Sequence, residues 1–176
     1  MADIQAPDTQ PENGATMITA EARAWAERPF PIHRVTVGRT DIARFARAIG
    51  ETDPRFFDPD AARAAGHPDV VAPPYFPYTI RMQAANLRDR ADLEPDGSSS
   101  EDVPPVPTDR AMAGETAIEM GVPIHAGDVI TLEKRIVDLF EKSGRSGALV
   151  FVKQEFRFTN QNDELVMREE FTRIYR

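Results

Sequence analysis

An α+β fold, with helices ahead of an antiparallel sheet, is what this sequence of 176 residues predicts. Apolar residues recur at i, i+3 and i+4 in the first half of the chain, the spacing of one helix face. From Arg110 onward the period becomes two, the spacing of a strand with one buried face. Between the period-two segments stand Ser143-Gly144-Arg145-Ser146-Gly147 and Asn160-Gln161-Asn162-Asp163, which supply chain reversals. With 41% hydrophobic and 28% charged residues, the chain suits one globular domain. A chain of this length buries roughly 70% of its unfolded surface, enough for a core without disulfide or metal staples.

Residues 1–16 are polar and contain Pro7 and Pro11, so a disordered tail is expected there, with a single domain over 17–176. Thr19 is placed to cap a short helix through Trp25, with Ala22, Trp25 and Ala26 on one face. Residues 32–37 alternate as a strand or extended connector. The clearest local helix runs from Thr40 as N-cap to Ile49, with Ile42, Phe45, Ala46 and Ile49 on one face and Gly50 as its stop. A loop over Glu51–Asp58 leads to a short helix over Pro59–Ala65, ended by Gly66. After Ala72-Pro73-Pro74, a helix carries Phe76, Ile80, Ala84 and Leu87 on one face and Tyr75, Thr79, Met82 and Asn86 on the next, so a central position covered on more than one side is expected. Residues 88–109, rich in proline, serine and acids, read as a flexible loop. Strands are expected at 111–121, 128–141, 147–159 and 164–175, paired as a meander or hairpins. Ala148, Val150, Val152, Phe156 and Phe158 share a face that Gln154 interrupts.

Composition excludes several chemistries. The chain has no cysteine, which removes thiolate nucleophiles, disulfides and cysteine-ligated metals. Its net charge of −8, with no basic stripe, disfavours nucleic acid and anionic membrane. The N-terminus lacks a basic start and an apolar run, and no stretch reaches the ~18 apolar residues of a membrane span, so a cytoplasmic protein is expected. Phosphate-loop, dinucleotide, zinc-protease and serine-hydrolase motifs are all missing. His33, His67 and His125 are scattered, without a nearby carboxylate at ligand spacing, and read as structural or solvated. The loop Gly50–Asp58 offers three carboxylates beside Phe56 and Phe57. Apolar neighbours favour the neutral form of a carboxyl and suit it to acid-base work, whereas the plainer role of Asp53 and Asp58 is to cap turns.

The segments Ala48–Pro54, Asp58–Ala62, Val70–Phe76 and Pro123–Asp128, with Glu141–Gly147 and Thr159–Gln161, resemble the N-terminal MaoC-type (FAS1-like) dehydratase domain over roughly Ala20 to Arg176. The resemblance implies a hot-dog fold, a long helix wrapped by an antiparallel sheet and paired into dimers. It also implies (R)-specific hydration of 2-enoyl thioesters, or the reverse dehydration, on an acyl-CoA or acyl-carrier-protein thioester, with no cofactor and no metal. In that family an Asp and a His of a Gly-Asp-x-Asn-Pro-x-His motif hold and deprotonate the water. A backbone N–H at the start of the central helix polarises the carbonyl.

Placed on that motif, Glu51 and Asp53 become the candidate catalytic residues, and Phe56 stands where the histidine belongs. Pro74 stands where a glycine N–H is usual, which leaves Tyr75 as the possible donor. The candidate substrate-binding residues are Phe56, Ala72, Pro74, Tyr75 and Phe76. Both departures resemble accessory subunits that shape an acyl tunnel while a second hot-dog chain supplies catalysis. Three alternatives stay open: a self-sufficient homodimer using Glu51 with Asp53 or His67, a hot-dog thioesterase, and a non-catalytic acyl-binding module. Arg81, Arg88, Lys142, Arg145 and Lys153 are candidate contacts for carrier phosphate, with solvated surface charge as their plainer role.

Overall fold

In the computed structural model, which describes residues 16–86, 103–108, 110–144 and 147–176, the change of period near Arg110 is the change from helix to sheet. The chain runs α1 (Ala20–Glu27), β1 (His33–Thr36), α2 (Arg39–Ala48), a 3₁₀ turn (Pro54–Phe56), α3 (Pro59–Ala64), α4 (Pro77–Asn86) and β2 (Ala111–Met120). It continues through β3 (Val129–Gly144), β4 (Gly147–Thr159) and β5 (Leu165–Tyr175). Most of the expected loop at 88–109 and all of the expected tail but Thr16 lie outside the described residues; the Thr16 hydroxyl donates to Glu141 at 3.0 Å. The described part of that loop packs Val103 and Val106 beside α1.

The five strands form one antiparallel sheet in the order β1-β3-β4-β5-β2. β3, β4 and β5 follow one another as hairpins, as the reversal sequences predict. β2 departs from a simple meander, since it pairs with β5 at the far edge instead of with its successor β3. Partners directly opposite one another share a face, so the register Leu132↔Phe158↔Met167 and Lys134↔Phe156↔Glu169 defines the inner face of the sheet.

Two helices divide that inner face. α1 lays Ala22 and Trp25 over Val150, Val152 and Tyr175. α4 lays Ile80 and Ala84, with Phe76 just ahead of it, over Phe156, Phe158 and Met167. Gln154 falls on the same face at the seam between the two cores. Burying each large apolar side chain of this kind is worth about 1.5–3 kcal/mol, so the period-two pattern of β4 is the main reason the sheet holds its register. α4 is also pinned by a polar contact. Glu169, 2% exposed, accepts hydrogen bonds from Tyr78 Oη at 2.9 Å and from the Arg81 guanidinium at 2.9 Å. Burial, followed by the Glu169 hydrogen bond, pushes the Tyr78 hydroxyl up to about 12.

Three expectations need correction. α2 is capped by Gly38 and not Thr40, because the Asp41 carboxylate reaches back to accept the Gly38 N–H at 3.1 Å. Within this chain α4 is covered on one side only. Its neighbouring face leaves Tyr75 52% and Met82 56% exposed, while the side chains of Asn86 and Leu87 lie outside the described residues. The expectation that no histidine has a carboxylate near it also fails, as described below.

Candidate active site

A cavity of about 330 Å³ opens where the 3₁₀ turn, the segment 67–77 and the segment 120–124 meet. That is the small end of the range for ligand pockets, about 300–1,000 Å³. Its wall is mostly apolar, with Phe56, Val71, Ala72 and Pro74 on one side and Val122 and Ile124 on the other; His67 and Arg55 are the polar contributions used below. The two sides are stitched by backbone hydrogen bonds. Ala72 N–H donates to Ile124 O at 2.8 Å and Ala126 N–H to Val70 O at 3.0 Å, around a single antiparallel bridge between Val71 and His125.

Of the residues singled out from sequence, Phe56, Ala72 and Pro74 line this cavity, whereas Glu51, Asp53, Tyr75 and Phe76 are not among its lining residues. Phe56 is buried on the cavity side of the turn and packs with Ala46 and Val71. Phe76 is buried beneath, in the main core. Glu51 is exposed just beyond Gly50, which takes the left-handed conformation at φ +79° that ends α2. Asp53 is occupied by its own turn. One oxygen accepts the Arg55 N–H at 2.9 Å and the other meets the Arg55 guanidinium at 2.6 Å. That guanidinium holds the Asp53 carboxyl below the usual carboxylate range, which makes it a weak base. Asp58 likewise caps α3 by accepting the Asp60 N–H at 2.9 Å.

At the start of α4, Pro73 and Pro74 have no N–H, and Tyr75 adopts φ +66°, a conformation unusual for a residue with a side chain. Among the described residues the Tyr75 N–H has no acceptor, so it is free to meet one from a ligand. Of the candidate phosphate contacts, Arg81 is paired with buried Glu169 and Lys153 with Glu170 at 2.7 Å. Lys142 lies over the stacked rings of Phe140 and Phe151. Arg88 and Arg145 lie outside the described residues.

Sequence reasoning missed the pairing of His67 with His125, whose Nδ1 and Nε2 atoms stand 3.1 Å apart across 58 residues of chain. His125 also has a carboxylate at hand, since Asp128 Oδ2 lies 3.8 Å from its Nδ1 and accepts its backbone N–H at 2.7 Å. The i, i+3 spacing of His125 and Asp128 was the available signal for that contact; nothing local signals the His67 partner.

This architecture, an antiparallel sheet with a helix across its inner face and a pocket at the helix start, is the hot-dog fold of the hydratase and dehydratase class. The chain belongs to the FAS1-like, dehydratase domain region family, whose model matches residues 24–169. A UPF0336 protein of Streptomyces coelicolor is 36% identical over 110 residues, which is 61% of this chain and 65% of that protein, so the match spans less than two thirds of the relative. Among solved structures, the ChsH1–ChsH2 complex from Mycobacterium tuberculosis matches with a TM-score of 0.62 at 19% identity, over 88% of each chain. The R-hydratase PhaJ1 from Pseudomonas aeruginosa matches at 0.60 and 16%, over 86% of this chain and 84% of that one. The truncated HadBC (3R-hydroxyacyl-ACP dehydratase) complex from M. tuberculosis matches at 0.56 and 23%, over 83% of this chain and 92% of that one. At these identities the structural matches establish the fold. No described helix is long and apolar enough to cross a membrane.

Proposed function

We propose that this chain binds the acyl thioester in a hydratase or dehydratase built from two hot-dog chains, and that full activity needs a second chain carrying the motif Asp and His. The observation that carries this reading is Phe56, buried against the pocket where the family's histidine belongs, while Glu51 points its charge to solvent outside the cavity. A loop so arranged offers an apolar wall to an acyl chain and no base to a water held in the pocket. The mostly apolar lining suits an acyl group, and the Tyr75 N–H, next in the chain to Pro74 of the cavity wall and without an acceptor among the described residues, suits a thioester carbonyl.

The free edge of β2 suits the docking of such a second chain. Every residue of β2 is exposed, including Met112, Ile118 and Met120, and among the described residues only one of its edges is paired. An open edge with apolar side chains is a template for another strand, and Met120 reaches from it to the pocket. The HadBC and ChsH1–ChsH2 complexes among the structural matches support an assembly of two chains.

Loss of the conjugated absorbance of a panel of 2-enoyl-CoAs tests the reading, with the chain assayed alone and after co-expression with a motif-bearing hot-dog chain. A large gain in turnover on co-assembly is expected. Equal turnover with and without such a partner would rule out the two-chain division of labour.

A further inference from the structure

The pocket has a proton acceptor that does not come from the motif loop. α3 ends in a full Schellman turn: Gly66 takes φ +91°, its N–H donates to Arg63 O at 3.0 Å, and the His67 N–H donates to Ala62 O at 3.0 Å. That turn delivers His67 to the cavity wall. From the other side, the bridge between Val71 and His125 brings the second imidazole against it, with ring centroids 5.2 Å apart and planes tilted by 47°.

The charge beside the pair favours one placement of the ring protons. Asp128 Oδ2 lies 3.8 Å from His125 Nδ1, and its charge favours a proton there. His125 Nε2 is then the acceptor, His67 Nδ1–H the donor at 3.1 Å, and His67 Nε2 carries a lone pair. No described side chain or backbone group bonds to His67 Nε2. Asp69, the nearest other carboxylate on the same segment, is taken up by Arg39 at 2.6 Å and by the Val70 N–H at 2.7 Å.

We propose that His67 is the proton acceptor of this chain's own pocket, with His125 as its positioning residue, and that the pair gives the chain a slow hydration activity of its own. The proposal rests on the reading of the cavity as an acyl-thioester site. His67 Nε2 takes a proton from water as the water oxygen bonds to C3 of a 2-enoyl thioester. The electron pair of the C2=C3 double bond moves toward the thioester carbonyl at the start of α4, where Tyr75 follows Pro74 of the cavity wall and its N–H has no acceptor among the described residues. The imidazolium then returns its proton to C2, so that one water is added and the ring regains its starting form. A single imidazole without a water-holding carboxylate makes the step slower than in a site with both.

The test uses the purified full chain, with calorimetric binding of butyryl-CoA as the check on the pocket and hydration of crotonyl-CoA as the readout. His67→Asn keeps a nitrogen near the Nδ1 position and removes Nε2. It is expected to leave butyryl-CoA bound and to lower kcat by at least about tenfold. His125→Leu is expected to lower kcat with KM unchanged. His125→Gln, whose amide oxygen can accept the His67 proton, is expected to recover most of the loss, which a merely structural role would not produce. If His67→Asn folds poorly, His67→Gln makes the same distinction. Wild-type chain that binds butyryl-CoA and hydrates nothing, or a His67→Asn chain with unchanged kcat, overturns the proposal while the acyl-binding reading stands. Failure of butyryl-CoA to bind overturns both.

Discussion

The two segments that flank the pocket, Gly50–Asp58 and Gly121–Asp128, differ in how far their polar groups reach. In the first, the carboxylates look chemical in sequence but serve their own turns: Asp53 and Asp58 each bond an N–H two residues on. In the second, an unremarkable stretch makes the distant contacts. The Gly121 N–H donates to Val166 O, the Ala126 N–H to Val70 O, and His125 meets His67. A cluster of acids close together in sequence is therefore a poor guide to a site when local capping can satisfy each of them first.

Five outcomes would break or sharpen that contrast. The largest belongs to Gly121, where a Cβ would sit 1.8 Å from the Leu165 carbonyl oxygen, so the strand must shift away from β5. Gly121→Ala is expected to cost more than about 3 kcal/mol in denaturant unfolding and to abolish butyryl-CoA binding. Phe56→Ala comes next at about 3 kcal/mol, the cost of a buried aromatic side chain lost from the first segment. A much smaller value would mean that the wall is not packed as described. Asp58→Ala is expected to cost about 1 kcal/mol, the worth of a helix cap, with butyryl-CoA affinity unchanged by calorimetry.

The fourth outcome is a pH slope. Burial pushes the His125 imidazole down, against the smaller upward pull of Asp128. The unfolded chain therefore holds the proton more tightly than the folded one. The His125 contribution is full above its ordinary value of 6.5 and declines as pH falls below that toward the folded value. Denaturant midpoints measured from about pH 8 to about pH 5 should fall more steeply for the wild type than for His125→Gln. The smallest effect is expected of Glu51→Gln: within about 0.5 kcal/mol in stability, because its side chain is exposed and bonds to nothing described. A larger loss would show that Glu51 has a partner in the assembled protein.

Much of this was legible from the chain itself. The alternation Val150, Val152, Phe156, Phe158 announced the inner face of β4, and Ile80 and Ala84 announced the side of α4 that meets it. Asp58 before Pro59, and Gly50 and Gly66 after their helices, announced boundaries, because caps are satisfied within a few residues. The cap of α2 is not legible in the same way: Thr40 has the side chain of a cap, and it is the reach of Asp41 back to the Gly38 N–H that starts the helix earlier.

Tertiary structure alone decided the rest. Pairing β2 with β5 instead of β3 is a choice among open edges that strand sequences leave undetermined, and it puts Met120 and Gly121 at the pocket. The bridge between Val71 and His125 then joins two imidazoles whose sequences carry no mark of each other. Periodicity and capping act over a few residues and can be read along the chain. Contacts between segments depend on which surfaces the whole core leaves adjacent, and that is settled only when the sheet has formed.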